Sequence, residues 1–258
     1  MDFQLKNKTI FIAGSSQGIG RAMAKAFLKE GARVVITGRG EENLKKIKRE
    51  LSAIYPKENM MFMKGDFSKS NTVEKALHQM KAQWKRIDCV IANIGNGKGQ
   101  LGWYEEEKEW QRIFDANFFS AVRLVQAAAP FFLKQKRGSI LLISSIAGCE
   151  RLKAPLAYSS AKSALLSYAN NLSQELASSN IRVNVLAPGN IIFSGGSWEK
   201  KLLADKKKVT SFLKMEVPMQ RFGTPEEIAD AAVFLSSSKA SFATGACFVV
   251  DGGQMRSI

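Results

Sequence analysis

The stretch Thr9-Ile10-Phe11-Ile12-Ala13-Gly14-Ser15-Ser16-Gln17-Gly18-Ile19-Gly20-Arg21-Ala22-Met23-Ala24 decides the fold. Five β-branched or apolar residues run straight into three glycines spaced Gly-x-x-x-Gly-x-Gly, and a helical pattern begins at once. A short apolar run bounded by glycine reads as a buried strand. Glycines behind such a strand permit a tight turn and let an anion such as a pyrophosphate approach the N–H groups of a helix N-terminus. A turn with glycines for chain reversal alone leaves the same trace, so the rest of the chain must decide.

The alternation repeats downstream. Short apolar runs recur at 33–37, 60–63, 89–92, 139–143, 182–186 and 247–250, most of them bounded by Gly, Asp, Asn or Pro. Helical patterns lie between them, at about 19–30, 42–54, 107–134, 158–178 and 225–235. Within 71–84 the residues Val73, Ala76, Leu77, Met80 and Trp84 share one helix face. Strands that are apolar throughout and alternate with helices make a parallel sheet covered on both faces. No linker, repeat or low-complexity tract interrupts residues 1–258, which read as one α/β domain.

Composition narrows the chemistry. The 258 residues are 45% hydrophobic and 24% charged, an ordinary globular balance that argues against disorder. Cys89, Cys149 and Cys247 are odd in number and far apart, so neither a disulfide framework nor a CxxC site is expected. His78 is the only histidine. Multi-histidine metal sites are thereby excluded, and no metal is expected; a Ser-His-Asp triad would depend on that one residue, which sits beside Leu77 on a surface helix. The N-terminus lacks the pattern of a secretory signal, and no run approaches the ~20 apolar residues of a membrane span, so a soluble cytoplasmic protein is expected. The net charge of +15 leaves nucleic acid, an anionic surface or an acidic partner open.

The end of the second strand should report on an adenosine ribose. An acidic residue about 20 residues past the glycines accepts the 2′-OH in NAD binders. Here the chain reads Ile36-Thr37-Gly38-Arg39-Gly40, with no acid before Glu41. Gly38 leaves room, and the planar Arg39 cation suits a 2′-phosphate. NADP(H) is therefore expected over NAD(H), which stays open as the second choice.

Beyond the strand at 139–143 comes Ser144-Ser145-Ile146-Ala147-Gly148, and 13 residues after Ser145 comes Tyr158-Ser159-Ser160-Ala161-Lys162. Together with the glycine turn, this resembles the short-chain dehydrogenase/reductase family over essentially the whole chain. Asp66, Ala92-Asn93-Ile94-Gly95, Asn117, Pro188-Gly189 and Asp251-Gly252-Gly253 follow in the family's order. The resemblance implies a doubly wound Rossmann-type sheet of about seven parallel strands. It also implies four catalytic residues, Asn117, Ser145, Tyr158 and Lys162. Tyr158 would exchange the proton with the substrate oxygen, Ser145 would hydrogen-bond that oxygen, Lys162 would bind the nicotinamide ribose, and Asn117 would hold a water. Physics agrees with the pairing, because i and i+4 residues share a helix face and a nearby ammonium lowers a phenol's pKa. Cofactor contacts implied in the same way are Gly14, Ser16, Gln17, Gly18, Ile19 and Gly20 at the phosphates. Asp66, Phe67, Asn93 and Gly95 would lie around the adenine, and Pro188, Gly189 and Ile191 at the nicotinamide. At Asp66 an Asx turn is the plainer alternative.

Departures are informative too. Ala13 stands where many members carry threonine, and Phe193 where a threonine commonly meets the carboxamide. Residues 190–221 are expected to form a substrate lid with Gly195-Gly196 as its hinge. Phe193 and Trp198 close over an apolar substrate in one reading, and Trp198 anchors the lid in the other. Lysines cluster at 45–48, 200–201 and 206–208. A basic lid would attract an acyl carrier protein or coenzyme A, whereas charge runs more often face only water. No nucleic-acid module accompanies the charge, and nucleic acid is not expected as a partner. The function expected is NADPH-dependent interconversion of a ketone and a secondary alcohol, with 3-oxoacyl thioesters as the best substrate guess. A dehydrogenase of a secondary alcohol, sugar or steroid, or a catalytically silent NADP-binding regulator, are the alternatives. The resemblance further implies a homodimer or homotetramer, for which the small polar face Ser159, Ser163, Ser167 and Asn170 offers a helix contact.

Overall fold

The computed structural model describes residues 2–256. Seven strands form one parallel sheet: β1 (Thr9–Ala13), β2 (Arg33–Gly38), β3 (Met60–Lys64), β4 (Cys89–Ala92), β5 (Gly138–Ile143), β6 (Ile181–Pro188) and β7 (Cys247–Val250). Their order is β3-β2-β1-β4-β5-β6-β7. The chain leaves β1 toward β2 on one side and returns to pair β4 on the other. That reversal opens a crevice at the carboxyl ends of β1 and β4, where ligands of open α/β sheets bind.

Both faces are covered, which is why the strands are apolar throughout. Ile10 and Ile12 point to one face and pack with Met23 and Phe27 of α1 (Gly18–Lys29). Ile228 and Val233 of α10 (Pro225–Ser236) complete that core. Phe11 and Ala13 point to the other face. There they meet Leu77 and Met80 of α3 (Ser70–Trp84), Phe132 of α5 (Ser120–Gln135) and Leu165 of α7 (Leu156–Ala177). The two-residue period of a strand sends alternate side chains into two separate cores.

The elements between these are α2 (Glu41–Ser52), α4 (Glu107–Phe114), α6 (Ile146–Cys149), α8 (Ser197–Ala204) and α9 (Lys206–Glu216). Helices α4 and α5 run on through a π turn at Asp115–Phe119, forming one rod from Glu107 to Gln135. By length and composition alone this rod would span a membrane. Here Leu124, Val125, Ala128 and Phe132 are buried against the sheet, and Asp115 pairs with Arg123 at 2.6 Å across the middle. It is a core helix.

Two helices were not expected in 190–221. The lysines at 206–208 form the first turn of α9, where the Asp205 carboxylate caps the Lys208 N–H at 2.9 Å. An N-cap aspartate satisfies a free helix N–H whatever the charge around it. The hydroxyl that Ala13 lacks is supplied by the neighbouring strand. Thr37 Oγ1 donates to the Ile12 carbonyl and accepts from the Gly14 N–H, both at 2.8 Å.

Candidate active site

The glycine turn is built by exclusion. A Cβ on Gly20 would stand 2.1 Å from the Gly14 carbonyl oxygen and 2.7 Å from Asn93 Nδ2, so no other residue fits. Gly14 takes the left-handed backbone region, φ +77°, which glycine adopts without strain. Its carbonyl accepts from Asn93 Nδ2 at 2.7 Å, tying the end of β4 to the turn. Ser15 is buried and structural: its hydroxyl donates to the Ile12 carbonyl at 2.9 Å and accepts from the Thr37 N–H at 2.8 Å. Ser16, Gln17, Gly18 and Ile19 remain at least partly accessible around the start of α1, whose N-terminus carries free N–H groups and no acidic residue in its first turn.

Beside the turn, the Ser16 hydroxyl lies 2.6 Å from where a Cβ on Gly38 would stand. Gly38 thus leaves space for that hydroxyl, and the exposed Arg39 follows at once. A hydroxyl and a guanidinium together suit a phosphate monoester on a ribose. Asp66 forms the Asx turn: Oδ1 accepts from the Ser68 N–H at 3.1 Å and the Ser68 hydroxyl at 2.7 Å. Burial pushes its carboxyl up, but the Ser68 donors and the Arg39 charge leave it below the usual range.

Three expected side chains point elsewhere: Phe67 and Ile191, expected at the cofactor, and Phe193, expected over the substrate. Phe67 is buried edge-on to Phe11 at 5.8 Å, and Ile191 packs into the core beside Gly223. Phe193 lays its ring on Gly18, with Cε2 and Cζ 2.9 Å from a notional Cβ there. It therefore sits at the phosphate turn. Trp198 stacks on Phe212 at 5.1 Å, meets Phe222 at 5.2 Å and carries Lys201 over its ring at 4.4 Å. Trp198 thus ties α8 to α9 within segment 190–221 and rests on Phe222 just beyond it. Pro188 ends β6, and Gly189 is pressed against Asp251, whose Cα would lie 2.7 Å from a Cβ on Gly189.

Asn117, Ser145, Tyr158 and Lys162 converge at the carboxyl ends of β4 and β5. Ser145 is the N-cap of α6, its hydroxyl accepting from the Ala147 N–H at 3.2 Å. Helix α6 lies on α7 without slack, because a Cβ on Gly148 would be 2.6 Å from the Lys162 carbonyl carbon. Two more hydroxyls stitch the pair: Ser144 donates to the Lys162 carbonyl at 2.9 Å and Ser163 to the Gly148 carbonyl at 2.7 Å. Neither Ser144 nor Gly148 announces this support in sequence, and Ser163, expected on a face open to a second helix, binds α6 of its own chain.

Lys162 is buried at 4% exposure, and its Nζ donates to the Ile143 carbonyl at 2.9 Å. Burial lowers its pKa from 10.5 to about 8. Its Nζ lies 6.0 Å from the centre of the Tyr158 ring. The expected lowering of the Tyr158 pKa by this ammonium is absent: burial pushes the phenol up, and the Ser145 hydroxyl draws it only part-way back.

Asn117 lies in the π turn, which rotates its amide out of the helix register. Its Nδ2 donates to the Ile113 carbonyl and its Oδ1 accepts from the Asn96 N–H, both at 3.0 Å. A Cβ on Gly95 would lie 2.5 Å from Asn117 Oδ1 and 3.2 Å from Lys162 Nζ. The two atoms are therefore less than about 6 Å apart, a span that one water bridges.

The family model described as enoyl-(acyl carrier protein) reductase matches residues 13–255. The chain is 37% identical over 253 residues to the 3-oxoacyl-[acyl-carrier-protein] reductase of Chlamydia muridarum, covering 98% of this chain and 99% of that one. It is 35% identical over 249 residues to the enzyme of the same name from Chlamydia trachomatis, covering 96% and 98%. Among solved structures it resembles L-sorbose reductase from Gluconobacter frateurii, crystallised with NADPH and L-sorbose, at 29% identity, full coverage of both chains and a TM-score of 0.92. With the seven-stranded sheet, the glycine turn and the Ser145/Tyr158/Lys162 group in one crevice, these matches show that the chain belongs to the short-chain dehydrogenase/reductase family of oxidoreductases.

Proposed function

We propose that the protein is an NADPH-dependent carbonyl reductase taking a ketone to a secondary alcohol, with 3-oxoacyl thioesters as its substrate class. The observation that carries this reading is the gathering of Ser145, the half-buried Tyr158 and the buried Lys162 in one crevice, with the Ser145 hydroxyl hydrogen-bonded to the phenol and Lys162 Nζ 6.0 Å from its ring centre. A reductase needs its proton donor protonated at working pH, and a phenol, with its ordinary pKa of ~10, meets that need. The cradle of Ser16, Gly18 and Gly20 beside Gly38 and Arg39 fits the dinucleotide with its 2′-phosphate. When bound, NADPH supplies the hydride. Ser145 donates a hydrogen bond to the substrate oxygen, and Tyr158 gives that oxygen its proton as charge develops there. Lys162 holds ribose hydroxyls with its ammonium, and Asn117 orders a water toward Lys162 Nζ for reprotonation.

The name of the matching family model speaks for a second reading, reduction of a C=C bond in an enoyl thioester. Two hydroxyl donors held side by side favour an oxygen that becomes an alkoxide, and the Chlamydia relatives bear a 3-oxoacyl name. Segment 190–221 serves as the substrate lid of the single domain, hinged at Gly195 with φ +79° and stiffened by Trp198 between α8 and α9. Lys200, Lys206, Lys207 and Lys208 are exposed on it and suit an acidic carrier protein or coenzyme A phosphates. Exposed Phe119, Leu133 and Leu156 on the helices support a homodimer or homotetramer. A cytoplasmic setting accords with all of this.

The test follows NADPH absorbance with acetoacetyl-CoA, crotonyl-CoA and a panel of simple ketones and sugars. Acetoacetyl-CoA should be turned over and crotonyl-CoA left alone; the reverse would establish the enoyl reading instead. Tyr158→Phe should lower turnover by roughly 10²-fold or more, the scale of general acid catalysis.

A further inference from the structure

Two of the three cysteines, far apart in sequence, meet in the fold. Cys149 Sγ and Cys247 Sγ lie 3.8 Å apart, joined by one thiol donating to the other. Neither is sealed off: Cys247 opens β7 and is exposed, and Cys149 is half-buried. Cys89 is buried in the sheet by contrast, where burial pushes its thiol up to about 11. The pair also touches the catalytic segment, because Cys149 Sγ donates to the carbonyl oxygen of Ser145 at 3.6 Å.

We propose that Cys149 and Cys247 form a thiol-exchange site that takes low-molecular-weight disulfides, closes into an internal disulfide and thereby displaces the Ser145 segment. The two thiols share one hydrogen bond, and exchange begins at Cys149 once its proton is lost. The Cys149 thiolate attacks one sulfur of the small disulfide, forming a mixed disulfide and releasing one thiolate. Cys247, giving up its proton, then attacks Cys149 Sγ and releases the second. Two electrons pass from the protein dithiol to the small disulfide, and two protons complete two small thiols.

Closure has a mechanical consequence. A disulfide needs about 2.05 Å between sulfurs, so one or both must advance by about 1.8 Å in total. Cys149 ends a helix of four residues whose first turn is capped by Ser145 itself. Gly148 already lies against the Lys162 backbone and leaves no room for adjustment. Movement at Cys149 is therefore carried to Ser145, and the thiol's hydrogen bond to the Ser145 carbonyl is lost. The Arg256 N–H adds a tie on the same side, donating to Glu150 at 2.7 Å.

The experiment exposes the full-length protein to oxidised glutathione and maps thiols without reduction. The expected product has an intact mass lower by about 2 Da, a Cys149–Cys247 cross-linked peptide and an unreacted Cys89. Turnover with NADPH should fall about tenfold or more, the scale expected when a reacting group is misplaced by roughly an ångström, and dithiothreitol should restore it. Cys247→Ser should keep the reduced activity and form no cross-linked peptide. A stable glutathione adduct without the cross-link, dimers joined through Cys247, or a cross-linked protein of unchanged turnover would each overturn the proposal. Peptide mapping needs no substrate, so failure to form the bond is told apart from failure of the carbonyl-reductase reading.

Discussion

Replacing Lys162 with methionine should make the protein more stable and nearly inactive. Lys162 has no carboxylate partner among the described residues: its hydrogen bond goes to the Ile143 carbonyl, and burial alone lowers its pKa from 10.5 to about 8. A shift of about 2.5 units at ~1.4 kcal/mol each means that keeping it charged at pH 7 costs the folded state about 3 kcal/mol. Methionine, flexible and of similar reach, removes that cost but forfeits a charged hydrogen bond worth about 1.5–3 kcal/mol. The variant should therefore gain up to about 1–2 kcal/mol at neutral pH. Between pH 8 and 10.5 the unfolded lysine holds a proton that the folded one has released, so wild-type stability rises with pH there. The variant's advantage must shrink as it does, by about 2 kcal/mol from pH 7 to 9.5. Urea unfolding of both proteins at the two pH values, with turnover measured alongside, gives the comparison. A variant less stable at pH 7 by several kcal/mol, or a gap that does not change with pH, would refute the reasoning.

The remaining predictions concern the crevice walls. Arg39→Asp should turn preference from NADPH toward NADH, read as the ratio of kcat/KM for the two; an unchanged ratio would remove Arg39 from the 2′-phosphate site. Gly148→Ala places a methyl 2.6 Å from the Lys162 carbonyl carbon. It should cost about 1–3 kcal/mol by overpacking, visible as a lower urea midpoint, and should depress kcat by tilting α6.

Much of this was legible because burial on both faces leaves a plain mark. Ile10, Phe11 and Ile12 are all apolar only because the sheet has a core on each side. The nearness of the proposed catalytic residues was legible through spacing, since Tyr158 and Lys162 share a face of α7 and Ser145 caps the helix packed on it. What stayed hidden was direction. Position along the chain does not say that Phe67 and Ile191 turn their side chains inward, or that the Phe193 ring rests on Gly18. Helices α8 and α9 were masked by lysines, whose pattern describes charge more loudly than period. The sign of the Tyr158 shift was missed because sequence shows a neighbouring cation but not the burial that outweighs it.

The alternating strands carry one more consequence. The sheet divides the interior like a wall, with α1 of the glycine turn rooted on one side and helix α7, which carries Tyr158 and Lys162, on the other. Free-energy changes from substitutions in different cores, sharing no side-chain contacts, should sum, whereas those within one core should not. The proposed cofactor grip and proton transfer thus rest on foundations that mutation can adjust independently.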